Sequence, residues 1–281
     1  MSNSNNRVTL ENVLELIGKR KLAKIPGSAS VASAIAQLRN DDYEVLPIDP
    51  IDNERPLVFS GYSVISKLLE TEPSEYGTFL KSPCLLYCLS GGTVSKESDL
   101  LSLLHVFEST MFGFALIHDK ANKIFAKITV NDLLTLFQHG MLSSKLLVKD
   151  VESAPMFSIS KGAKIIDCLR EMESREFRKV KIAGTSSVIT DRLILSHLFD
   201  EKRLQRVSKI PQHLLDDTLE DLESIQGKWI DGRKNLSEAA ESMTRANHGF
   251  LLTDNGIITP WDLIIKPWRL GDLRISNKSS S

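Results

Sequence analysis

Two short segments carry the same two oxygen-bearing side chains at the same spacing. In Lys123-Ile-Phe-Ala-Lys-Ile-Thr129-Val-Asn-Asp132-Leu133, and again in Asn255-Gly-Ile-Ile-Thr259-Pro-Trp-Asp262-Leu263, an apolar run ends in a threonine and an aspartate follows three residues later. A hydroxyl at a strand's end and a carboxylate one helical turn on make a small polar fork at the mouth of a helix, beside its free amides. The plainer use of such a pair is a capping box, which contributes about 1 kcal/mol.

Little else in the chain offers chemistry. The six histidines are scattered, with no pair at the spacing of a helical metal site, and Cys84, Cys88 and Cys168 have no cluster of further ligands around them. No metal is expected, and the cysteines read as small buried residues of a reducing compartment. The sequence has no glycine-rich phosphate loop, no dinucleotide fingerprint, no nucleophile elbow and no His-Glu-x-x-His. Lys and Arg number 35 against 36 Asp and Glu, so no global field exists to hold a nucleic acid or an anionic membrane. The polar start lacks an apolar signal core, and the protein is expected to be cytoplasmic.

With 281 residues, 42% hydrophobic and 25% charged, the chain is long enough for two domains. A strand, a helix, two strands and a second helix recur four times at intervals of about 65 residues. The repeats cover about 10–70, 78–140, 145–200 and 215–268. A charged helical connector is expected over Glu201–Glu223, and residues 276–281 hold too little apolar content to fold. The fold class is α/β (α+β). Because one repeat cannot bury a two-faced sheet, pairing is expected of the first with the second and the third with the fourth, giving modules over 1–140 and 141–275.

This arrangement resembles the cystathionine β-synthase (CBS) domain family, in which two half-domains pack as a pseudo-twofold Bateman module. The most specific element is the closing pattern Gly-hydrophobic-hydrophobic-Thr/Ser-x-x-Asp-hydrophobic. Gly256-Ile-Ile-Thr259-Pro-Trp-Asp262-Leu263 matches throughout; Ala126-Lys-Ile-Thr129-Val-Asn-Asp132-Leu133 matches except at Ala126. The resemblance implies adenosine-containing ligands, AMP, ADP, ATP or S-adenosylmethionine, in clefts between half-domains. It implies that Asp132 and Asp262 accept ribose hydroxyls while Thr129 and Thr259 bridge sugar and phosphate. Tyr43 and Val45 are expected to face Asp132, and Ala154, Phe177, Arg178 and Lys179 to face Asp262, with Arg178 and Lys179 as phosphate contacts. The resemblance implies that Glu44, and the cations Lys19, Arg20, Lys21 and Lys24, lie near the first of these clefts.

The odd repeats depart from the pattern. Val188-Ile-Thr190-Asp-Arg-Leu193 puts leucine at the acidic position, and Gly61-Tyr-Ser63-Val-Ile-Ser66-Lys67 places Ser66 or Lys67 there. Two competent sites are therefore expected. The function implied is a non-catalytic adenine-nucleotide sensor acting on an effector protein and able to assemble, within one chain or as a homodimer, into a disk. The rival readings are an interaction scaffold with vestigial clefts and, from Asp191 beside Arg192, a cryptic nucleotide hydrolase.

Overall fold

The computed structural model describes residues 8–18, 22–40, 45–52, 55–200, 202–203, 213–246 and 248–276. An amphipathic helix, α1 (Leu10–Ile17), precedes the repeats; Thr9 caps it, and Leu10, Val13 and Leu14 form its buried stripe. The first repeat is β1 (Ile25–Pro26), α2 (Val31–Asn40), β2 (Val45–Asp49), β3 (Leu57–Ser60) and α3 (Gly61–Glu70). A short helix α4 (Tyr76–Lys81) and strand β4 (Leu89–Ser90) follow, and the second repeat adds β5 (Thr93–Ser95), α5 (Leu100–Thr110), β6 (Phe114–His118), β7 (Ile124–Thr129) and α6 (Leu134–Gln138).

Strand β8 (Leu142–Ser143) and helix α7 (Val148–Val151) lead to the third repeat: β9 (Ser158–Ile159), α8 (Ile165–Ser174), β10 (Lys179–Ile182), β11 (Ser187–Thr190) and α9 (Asp191–Leu198). Then come β12 (Ile225–Gln226), α10 (Leu236–Ala246), β13 (Leu251–Leu252), β14 (Ile257–Ile258), α11 (Pro260–Arg269) and β15 (Arg274–Ile275). Ahead of α10 the fourth repeat has a single parallel bridge from Trp229 to Leu252.

Three repeats share one register. The first strand runs parallel to the second, the second antiparallel to the third, and the hydroxyl ending the third strand lies opposite the residue opening the second. The pairs are Val45 with Ser60, Phe114 with Thr129 and Lys179 with Thr190. Because strand side chains alternate faces, a shared register puts corresponding residues on corresponding faces.

Leu85 to Tyr87 lies in a 3-10 turn, Cys84–Tyr87, entered from Pro83. Helix α3 begins at Gly61, because Ser60 accepts the Ser63 amide as its cap. Of the charged connector Glu201–Glu223, Glu201 and residues 204–212 lie outside the described residues; Lys202 and Arg203 are helical, and the stretch from 213 to 223 holds a 3-10 turn at Leu219–Asp221. The tail from 277 onward and Lys19–Lys21 also lie outside the described residues.

The chain divides into two compact units, each assembled from separated stretches. One draws on Met1–Leu22, Gly91–Met156 and Gly227–Ser281 and so holds the second and fourth repeats; the other draws on Ala23–Ser90 and Phe157–Gln226 and holds the first and third. These units, the even and the odd, cut across the chain-order grouping of 1–140 and 141–275. The helices explain why: in the odd unit α3 packs on α8 and α9, and in the even unit α10 and α11 pack on α6. Each unit has its own core, with Leu46, Phe59, Leu68, Leu169, Ile194 and Phe199 in the odd one and Leu104, Phe107, Ile128, Leu136, Leu251 and Ile264 in the even one. Each such side chain contributes about 1.5–3 kcal/mol by leaving water.

Two local features of the even unit hold its segments in place. At Gly256, before β14, a Cβ would sit 2.2 Å from the Ser153 carbonyl oxygen, because Ser153 and Ile257 exchange backbone hydrogen bonds of 2.8 and 3.0 Å there. Only glycine admits so close a strand. At the other end, Asp272 accepts hydrogen bonds from the Ser144 hydroxyl and from the amides of Lys145, at 2.7 Å, and Leu146, at 3.3 Å. That clamp joins the residues after β8 to the turn before β15.

Gly256→Ala is therefore expected to lower stability by about 1–3 kcal/mol, which at about 2–4 °C per kcal/mol is visible in a thermal melt; an unchanged melting temperature would count against this packing. The Ser144 hydroxyl and the neighbouring amides hold the Asp272 carboxyl below the usual carboxylate range. A depressed carboxylate contributes stability above its unfolded value, about 3.9, and loses it as pH falls through the lower folded value. Asp272→Asn should accordingly show a smaller loss of stability between about pH 5 and 3 than the parent chain in denaturant titrations. An identical loss would show the clamp to be idle.

Candidate ligand-binding forks

The fork of the fourth repeat grows directly from its sequence. Ile257 and Ile258 are fully buried, Thr259 stays extended at φ −125° and ψ 169°, and Pro260 opens the helix at a position whose N–H would have no partner. Asp262 then falls at the third helical position. Its Oδ2 accepts the Thr259 amide and the Thr259 hydroxyl, both at 2.7 Å, and the Asp262 amide reaches back to the Thr259 hydroxyl at 3.5 Å.

The other carboxylate oxygen, Oδ1, is also engaged. It accepts the Ser153 hydroxyl at 2.8 Å and the Lys266 ammonium at 2.8 Å. Lys266 further donates to the carbonyls of Val151 at 2.7 Å and Glu152 at 3.2 Å, and to the Ser153 hydroxyl at 3.0 Å. Asp262 is 2% exposed. A carboxylate removed so far from water needs such a donor set and a counter-charge to offset the lost hydration.

The fork of the second repeat has the same bonds around a different helix start. Thr129 donates its amide and hydroxyl to Asp132 Oδ2 at 2.8 and 2.7 Å, and the Asp132 amide returns to the hydroxyl at 3.3 Å. Both residues are buried. After Thr129 the chain makes tight i to i+3 turns, from Asp132 to Thr129 and from Leu134 to Asn131, and the α-helix proper waits until Leu134. The cause lies one residue after the threonine. Val130 donates its amide to the Gly113 carbonyl at 2.7 Å, extending the hairpin pairing, whereas Pro260 has no amide to give.

The odd repeats keep the hydroxyl and lack the carboxylate. Thr190 caps α9 through the Leu193 amide at 3.2 Å. In the first repeat the hydroxyl at the strand's end is Ser60, so the acidic position is taken by Ser63, neither Ser66 nor Lys67. Ser63 donates its hydroxyl to the Ser60 carbonyl at 2.9 Å, a local turn bond that leaves it no ionic role.

Of the remaining expected site residues, Ala154 is exposed and adjoins Ser153, in the same unit as Asp262. Phe177, Arg178 and Lys179 belong to the odd unit. There Arg178 lies over the Tyr62 ring at 4.8 Å and 3.5 Å from Asp191, so its charge is already met within its own unit. Val45 is buried at the start of β2, opposite Ser60. Tyr43 and Glu44 lie outside the described residues. Two residues at the fork escaped the sequence reading. Lys266 stands four residues after Asp262, a helical pairing readable in the sequence, but Ser153 comes from 109 residues away with no local signal.

The cysteines are poor nucleophiles: burial pushes the thiols of Cys88 and Cys168 up to about 12. Among the described residues no group of His, Cys, Asp and Glu could hold a metal ion, and no helix is long and apolar enough to cross a membrane.

The sequence matches no family model and no curated protein. Solved structures do resemble it. Protein MJ1225 from Methanocaldococcus jannaschii, a proposed archaeal homolog of g-AMPK, aligns with a TM-score of 0.77 at 16% identity, covering 91% of this chain and 99% of that one. A conserved protein from Pyrococcus horikoshii aligns at 0.49 and 12% identity over 89% and 97%. The CBS domain protein PAE2072 from Pyrobaculum aerophilum, complexed with AMP, aligns at 0.37 and 13% over 45% and 90%. The fold of this chain is that of the cystathionine β-synthase domain proteins.

Proposed function

We propose that the chain is a non-catalytic regulatory protein that binds an adenosine nucleotide, AMP, ADP or ATP, with S-adenosylmethionine as a further candidate. Its two ribose acceptors are Asp132 and Asp262. The observation that carries this reading is the pair of buried Thr–Asp forks with matching hydrogen bonds, set in the two even repeats of a fourfold pattern whose odd members carry Ser63 and Leu193 instead. A vicinal diol offers two O–H donors at the spacing of a carboxylate's two oxygens, and each charge-assisted bond of this kind contributes about 1.5–3 kcal/mol. The amides at the helix start favour the ligand's negative charge. Such binding regulates only as far as the ligand's affinity differs between two conformations of the chain.

One observation favours a second reading. Every acceptor direction of Asp262 is met by the chain itself, which suits a structural capping box in an interaction scaffold with vestigial clefts.

Calorimetric titration with AMP, ADP, ATP and S-adenosylmethionine separates the two. Nucleotide binding is expected, with Asp132→Ala and Asp262→Ala each removing one site or weakening it about 30-fold or more, the equivalent of about 2 kcal/mol. No heat with any of the four would leave the scaffold.

A further inference from the structure

We propose that Lys266 is an internal competitor for the Asp262 carboxylate and thereby sets which ligands the fourth-repeat fork accepts. The inference rests on the reading of Asp262 as a diol acceptor and adds what that acceptor must first release. In the free chain the Lys266 ammonium is 2.8 Å from Asp262 Oδ1 and the Ser153 hydroxyl is at the same distance from the same oxygen. A diol approaching Asp262 meets no vacant lone pair on Oδ1 and must displace one or both of these donors.

The arrangement favours the ammonium leaving and the Thr259 bonds staying. The Thr259 amide and hydroxyl reach Oδ2 from within the same capping box and are fixed by the backbone of the strand and helix. Lys266 is held by a flexible stem, and its side chain is 32% exposed while that of Asp262 is 3% exposed, so it can exchange its ion pair for water. Before it leaves it also grips the carbonyls of Val151 and Glu152 and the Ser153 hydroxyl. Release of Lys266 by a ligand therefore loosens the segment Val151–Ser153, which precedes the third repeat.

Two consequences follow for ligand choice. A bare diol must offset the loss of an ion pair and binds weakly. A ligand carrying an anionic group beside its diol offers the displaced ammonium a new partner and recovers part of that loss, so nucleotides are selected over nucleosides. At the corresponding offset from Asp132 stands the buried Leu136, so the second repeat has no lysine in this place.

The test compares AMP and adenosine binding to the full chain, to Lys266→Met, and to Ser153→Ala, by calorimetry. Methionine keeps the apolar stem and donates nothing. Lys266→Met should bind adenosine about tenfold more tightly than the parent chain and should narrow the preference for AMP over adenosine. Ser153→Ala, which removes the neutral donor from the same oxygen, should tighten both ligands by a smaller factor, and it decides the matter if the methionine variant fails to fold. Adenosine binding by Lys266→Met alone, with AMP bound by both the variant and the parent chain, would support the proposal most strongly. Parent-chain binding that is lost in Asp262→Ala yet unchanged or weakened in Lys266→Met would overturn the competitor and leave the nucleotide reading standing. Failure of every variant and of the parent chain to bind either ligand would overturn both.

Discussion

Burying a carboxylate at the mouth of a helix is the constraint around which the even unit is arranged. Asp262 leaves water almost completely and stays viable only because donors converge on it from three directions: the strand's end, the helix one turn on, and a segment more than a hundred residues earlier. The close approach of Ser153 to Gly256 is part of the same constraint, since the Ser153 hydroxyl reaches Asp262 only if its backbone runs against β14. Gly256, Thr259, Asp262, Lys266 and Ser153 thus form one unit of mutual dependence. The two isoleucines between them supply the apolar backing.

The same physics explains why the repeats differ. A fork needs an acceptor at the third helical position, and Ser63 and Leu193 are not equivalents of aspartate. Ser63 turns its hydroxyl back onto the Ser60 carbonyl, and Leu193 offers only its amide to Thr190. In both odd repeats the hydroxyl still caps the helix, so the fold persists where the ionic feature is absent. The repeated register, with the capping hydroxyl opposite the first residue of the neighbouring strand, is the part common to capped and charged versions.

Much of this was legible in the residues themselves. The alternation of apolar runs with Gly- and Asn-bearing turns located most strands and helices, and both forks form at the positions their Thr-x-x-Asp spacing indicated. What escaped is instructive. The first repeat was displaced by three residues because Gly61 was read as the motif's glycine, whereas it opens the helix and Ser60 is the cap. How the repeats group into compact units depends on which helix faces meet, as α3 meets α8 and α9, and four similar amphipathic patterns do not rank their partners. Ser153 was hidden for the same reason at smaller scale: a single hydroxyl carries no periodicity. Lys266 was visible as an i, i+4 partner, yet its hold on Val151 and Glu152 could emerge only from the folded chain.

The central claim is that these buried forks accept a nucleotide's ribose. The most direct measurement is a crystal structure of the chain grown with saturating AMP. The account predicts a nucleotide whose ribose 2′ and 3′ hydroxyls lie within about 3 Å of the Asp132 or Asp262 carboxylate, with the Thr–Asp bonds retained. AMP seated away from both forks, or an empty chain at saturating nucleotide, would contradict it.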